Sequence, residues 1–153
     1  MKLATTCLLL LVTGEACADV PEISLINPPG LFQPTTFSQI ATIREGRLVL
    51  ISGQTARDAA GKLVGQGDLK AQTGQVFENL RIALQSVGAD FDDVAKLTTF
   101  VVNLQPNDRV MIAEAIAKYF PPGRRPAHTL IGISALAVED LLIEIEATAV
   151  LPD

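Results

Sequence analysis

The chain has 153 residues, 48% of them hydrophobic and 19% charged, with a formal net charge of −5 and a pI near 4.8. This length supports one domain with a proper core and is short for two. The acidic balance, with no basic run longer than Arg124-Arg125, repels a phosphate backbone, so nucleic acid is not an expected partner.

Met1-Lys2 is a short positive start, Leu3 to Val12 is an apolar run, and Ala16-Cys17-Ala18 supplies small residues ahead of Asp19. This pattern predicts a secretory signal over residues 1–18 and a periplasmic or secreted protein. The apolar run is shorter than the ~20 residues of a membrane span, and no second one follows, so no stable span is expected in the mature form. Removing the segment takes away Cys7 and Cys17, which leaves no thiol for a disulfide or for catalysis. It also removes Lys2 and Glu15, one charge of each sign, so the net charge is unchanged. Residues 19–36 hold Pro21, Pro28, Pro29, Gly30 and Pro34 and are expected to form an extended lead-in to a single domain over 37–153.

Ser38 to Arg44 and Arg47 to Gly53 flank Glu45-Gly46 and suggest a hairpin. Residues 57–67, with Gly61, Gly65 and Gly67, read as loop. Asp68 is placed to cap a helix whose apolar stripe is Val76, Phe77, Leu80, Ala83, Leu84 and Val87, stopped by Gly88. Val94 to Val102 is apolar on both sides and predicts a buried strand. Asn107 or Asp108 is expected to cap a second helix running to Phe120, with Val110, Met111, Ala115, Ile116 and Tyr119 inward and Pro121-Pro122-Gly123 ending it. Pro126 to Ser134 and Leu141 to Val150 complete the order strand, strand, helix, strand, helix, strand, strand. That order indicates an α+β sandwich with two helices on one face of a mixed sheet. The other face is expected to meet further copies, because a large apolar patch in water marks an interface.

On the last segment, Leu142, Glu144 and Glu146 alternate with Leu141, Ile143, Ile145 and Ala147. A carboxylate beside Leu142 is partly desolvated, which suits Glu144 to proton transfer. His128 is the sole histidine, which with the loss of both cysteines excludes a metal cluster built on these ligands. GKLVGQG lacks the Gly-Lys-Ser/Thr ending of a phosphate loop, and no strand-to-helix serine turn supports a triad from Ser52 or Ser134 with His128.

RRPAHTLIGISALA followed by LIEIEATAV resembles the C-terminal signature of the Rid proteins, the reactive-intermediate imine/enamine deaminases also called the YjgF family. Upstream, FSQIATIREGRLVLISGQ, Gln72 and Asn79 on the first helix, and Gly88 follow the family's order, so the resemblance covers roughly Phe37 to Val150. It implies a chorismate-mutase-like α+β sandwich assembled as a homotrimer, with the site between subunits and no cofactor. The implied activity is hydrolysis of a reactive imine or enamine, of the 2-iminobutanoate/2-iminopropanoate type, to a carbonyl compound and ammonia. Glu144 matches the family's water-activating glutamate. His128 follows Pro126-Ala127 where the family has a carboxylate-gripping arginine. Phe37 stands for the first-strand tyrosine, Ser52 and Gly53 match, Gln105 stands where some members have asparagine, and Leu130 completes the expected substrate contacts. An imidazole offers one donor to a ligand and is charged only in part near neutrality, so a carboxylate grip by His128 should weaken as pH rises. Arg125 has the wrong strand parity to replace it. The alternative reading is a Rid-fold protein that binds a small carboxylate or imine, or covers exposed protein surface, with little turnover.

Overall fold

The computed structural model describes residues 22–152; the expected signal segment, residues 1–18, lies outside them. The elements are β1 (Ile23–Ile26), β2 (Ile40–Ile43), β3 (Arg47–Thr55), α1 (Leu69–Ser86), a 3-10 turn (Phe91–Asp93), β4 (Val94–Val102), α2 (Pro106–Tyr119), β5 (Ala127–Ile133) and β6 (Ile143–Leu151). β3, β6, β4 and β5 form one sheet in that spatial order, in which β4 and β5 are parallel and the other pairs antiparallel. The parallel pair is joined through α2, the crossover such pairing needs. The expected mixed sheet with two helices on one face is therefore present.

Two local expectations change. β2 pairs with β1, not with β3, in a separate two-stranded ribbon with Ile23 opposite Ile43. The lead-in contains this strand because Ile23, Leu25 and their neighbours meet an equally apolar partner, while Pro28, Pro29 and Pro34 fall in the connection after it. β3 pairs with β6 instead, so Glu45-Gly46 links two sheets and is not a hairpin turn.

α1 is closed at both ends by its own sequence. Asp68 accepts a hydrogen bond from Ala71 N at 3.0 Å. Gly88 at φ +80° lets Gly88 N reach Gln85 O and Ala89 N reach Leu84 O, the paired bonds that satisfy the last carbonyls. α2 starts earlier than expected: Gln105 is its N-cap and Pro106 its first residue, where a missing N–H costs nothing. Asp108 acts from inside the first turn and accepts from Gln105 N at 2.8 Å.

The core lies between helices and sheet. Val76, Phe77, Leu80 and Leu84 of α1 and Ile112 and Ile116 of α2 cover Leu97 and Val101 of β4 and Ile143, Ile145, Ala147 and Ala149 of β6. Val110, expected inward, is 60% exposed. α2 lies towards the β5 edge of the sheet, and one flank of its apolar stripe faces an open cleft there.

Gln72, fully buried in α1, ties the loops beneath the sheet: it donates to Asp140 O (2.8 Å) and Gly65 O (3.2 Å) and accepts from Leu142 N (2.8 Å). Asn79 donates to Thr55 O (2.9 Å) and Arg57 O (2.8 Å), fixing the end of β3 against α1. Both residues act as backbone clamps. Gln72→Ala leaves three part-buried backbone groups without this partner, at up to about 1–3 kcal/mol for each such group. Urea unfolding of this variant should show about 3 kcal/mol less stability than the parent, and a loss under ~0.5 kcal/mol would contradict the clamp.

Candidate functional site

The sheet sorts the sequence-derived candidates onto its two faces. In β4, Leu97, Thr99 and Val101 point at the helices while Lys96, Thr98 and Phe100 point the other way. β5 runs in register with Leu97 opposite His128 and Thr99 opposite Leu130, so His128 and Leu130 share the helix face. β6 sets Phe100 opposite Glu144 and Thr98 opposite Glu146, so both glutamates stand on the open face.

On the helix face, a cleft of about 770 Å³ opens between α2 and the β5 edge. Phe37, His128 and Leu130 line it, with Arg109, Val110 and Ala113 of α2 opposite. Phe37 is held there because Ser38 is sewn to the start of β5: Ser38 N donates to Pro126 O at 3.0 Å and Ser38 Oγ to Arg125 O at 2.7 Å. Pro106 also lines the cleft, whereas Gln105 itself caps α2 and donates through Nε2 to Asn103 O at 2.6 Å.

His128 Nε2 and the Thr99 hydroxyl are hydrogen bonded at 3.0 Å, with the donor set by the ring tautomer. Its Nδ1 has no hydrogen-bond partner among the described residues. Burial, and secondarily the Lys96 ammonium, push the imidazole down from 6.5 to about 4. At neutral pH the ring is uncharged and offers a ligand one hydrogen bond and no charge. The partly protonated histidine expected from the sequence does not occur in this environment. Arg125 does not line the cleft either, and its buried Nε has no hydrogen-bond partner among the described residues.

On the open face, Ser52 and Gly53 sit at an irregularity of β3. Ile51 pairs with Ala147 and Gln54 with Ile145, so the two intervening residues oppose Glu146 alone. The Glu144 side chain lies across this bulge. A Cβ built on Gly53 would collide with the Glu144 carboxylate. The absence of a side chain at Gly53 leaves the space that the Glu144 carboxylate occupies beside the β3 backbone.

Ser52, Gly53 and Glu144 thus form one group, and Phe37, His128 and Leu130 another. His128 is level with Leu97 and Glu144 with Phe100, on opposite faces and two strands apart. That separation is ~10 Å along the strands and ~10 Å across them. No small ligand touching His128 reaches Glu144 of the same chain. Among the described residues, no group of three or more His, Cys, Asp or Glu is placed to hold a metal ion, and no helix is long and apolar enough to cross a membrane.

Arg109 is the cleft residue that sequence reading missed. Its signal was present in the spacing Arg109, Ala113, Ile116, one helix face, but nothing in the sequence said that this face bordered a cleft.

The α+β sandwich has counterparts among known proteins. The family described as Endoribonuclease L-PSP matches residues 32–151. A RutC family protein of Pyrococcus horikoshii is 36% identical over 107 residues, covering 70% of this chain and 82% of that protein. Protein DfrA of Myxococcus xanthus is 35% identical over 114 residues, covering 74% and 84%. In solved structures, the Rid-family protein YyfB of Yersinia pestis is similar with a TM-score of 0.79 at 42% identity, covering 84% of this chain and 98% of that one. RidA from the Antarctic bacterium Psychrobacter sp. gives a TM-score of 0.61 at 27% identity, covering 76% and 89%. The chain belongs to the Endoribonuclease L-PSP family, that of the Rid (YjgF) proteins.

Proposed function

We propose that this Rid protein hydrolyses small imines or enamines to a carbonyl compound and ammonia, at a site formed between copies of the chain. The observation that carries the reading is the seating of Glu144 on the open face, held over the Ser52-Gly53 bulge. There a carboxylate takes a proton from water as the water oxygen bonds to the imine carbon, and returns protons to nitrogen as the C–N bond breaks and ammonia leaves. In this reading His128 stands where the family arginine grips the substrate. As a neutral ring tied to Thr99, it orients the substrate by one hydrogen bond, with Phe37 and Leu130 packing on its carbon frame.

The sheet's open face supports assembly. Leu48 and Leu50 of β3 are 54% and 74% exposed on it, an apolar surface of the kind that copies cover. A neighbour whose β5 edge abuts this face brings its cleft to Glu144, and a ring of three closes that contact. The net charge of −5 and a cleft with mostly apolar walls favour a small molecule over a polynucleotide.

Purified protein mixed with freshly generated 2-iminopropanoate should release ammonia and the 2-oxo acid well above the spontaneous rate. A rate equal to the buffer control would give preference to the second reading, ligand binding without turnover. The separation of His128 from Glu144 within one chain favours that reading if the protein proves to be a monomer.

A further inference from the structure

We propose that Arg109 is the anchor for an anionic substrate in the α2–β5 cleft, and that the cleft therefore selects small carboxylates with an apolar tail. Among the residues lining the cleft, it is the only one that carries a charge at neutral pH. The rest of the wall is apolar or hydroxyl-bearing, with Phe37, Val110 and Leu130 for the tail and Thr36 for a neutral hydrogen bond. Among the described residues Arg109 makes no ion pair: the recorded guanidinium–carboxylate pairs belong to Arg44, Arg81 and Arg124. Arg109, exposed on the first turns of α2, thus lines the cleft without a carboxylate partner among the described residues, and carboxylates are the ligands that a planar two-pronged donor fits best.

The other basic groups near the cleft do not compete for this role. Lys96 of β4 lies on the opposite sheet face, in the shallower hollow beyond Phe37, with Nζ hydrogen bonded to Thr129 Oγ1. His128 is uncharged at neutral pH. Lys96 of β4 is the charged group that acts on His128, Arg109 of α2 shares the cleft with it, and the segment 36–41 contributes Thr36, Phe37, Ser38 and Gln39 and no charge.

The inference deepens the deaminase reading by naming the substrate's charged end, but it is tested by binding alone, so the two can fail separately. The probes are benzoate and its neutral isostere benzamide, titrated by NMR into the intact protein. Arg109→Gln should weaken benzoate at least tenfold and leave benzamide unchanged, with Arg109→Lys in between. Lys96→Met should leave benzoate unaffected. Benzoate affinity of the parent protein should be flat between about pH 6 and pH 8, since neither the ligand nor His128 titrates there. Equal loss of benzoate and benzamide, loss of benzoate in Lys96→Met as large as in Arg109→Gln, or affinity that falls steadily as pH rises from 6 to 8 would each overturn the assignment.

Discussion

Glu144→Gln is expected to reduce imine hydrolysis by about 10²- to 10⁴-fold, the range a positioned general base contributes, while leaving the fold intact. Glutamine keeps the length and polarity of the side chain on a half-exposed position of the open face, so the β3–β6 ladder has no reason to change. What is lost is the capacity to take a proton. Gly53→Ala should reproduce much of the loss by a different route: the added methyl occupies the place of the Glu144 carboxylate, and the flexible glutamate swings away from the bulge. Circular dichroism and unfolding midpoints near those of the parent would show that both variants keep the fold. Near-parental turnover in Glu144→Gln would assign the chemistry to a different group.

The second large effect is on acid stability. His128 binds its proton at about 4 in the folded chain and near 6.5 when unfolded. Between these values the unfolded state holds more protons, so stability is complete above about pH 6.5, falls as the pH drops towards 4, and levels off below it. At ~1.4 kcal/mol for each factor of ten in proton affinity, the cost on acidification is about 3 kcal/mol. His128→Gln keeps a hydrogen-bonding group beside Thr99 and removes the titration. Urea unfolding at pH 7, 5.5 and 4 should therefore show a parental curve that drops below that of the variant by about that amount. Parallel curves would mean that the imidazole is not buried as neutral.

Much of the fold was legible because local signals and tertiary packing agree. Asp68 and Gly88 bracket α1 as their chemistry dictates, and the alternation around Glu144 placed Ile143, Ile145 and Ala147 in the core. Strand pairing was not legible. Glu45-Gly46 has the composition of a hairpin turn, yet β2 pairs with β1 and β3 with β6, because pairing depends on which apolar faces meet across the whole chain. The environment of His128 was hidden for the same reason. Thr99, Lys96 and the covering helix come from elsewhere in the sequence, and together they turn an ordinary histidine into a neutral one. The split of the candidate residues between two faces follows from register alone, and register is a property of paired strands that no single segment contains.

The most direct test of a site shared between copies is complementation. Glu144→Gln lacks the base, and Ala113→Phe fills the cleft at the α2 wall; each alone should be nearly inactive. Unfolded together and refolded as a mixture, the two chains should recover about a quarter of parental 2-iminopropanoate hydrolysis, since that share of contacts in a randomly assembled cyclic oligomer joins an open cleft to an intact Glu144. A refolded mixture no more active than its separate components would contradict the shared site.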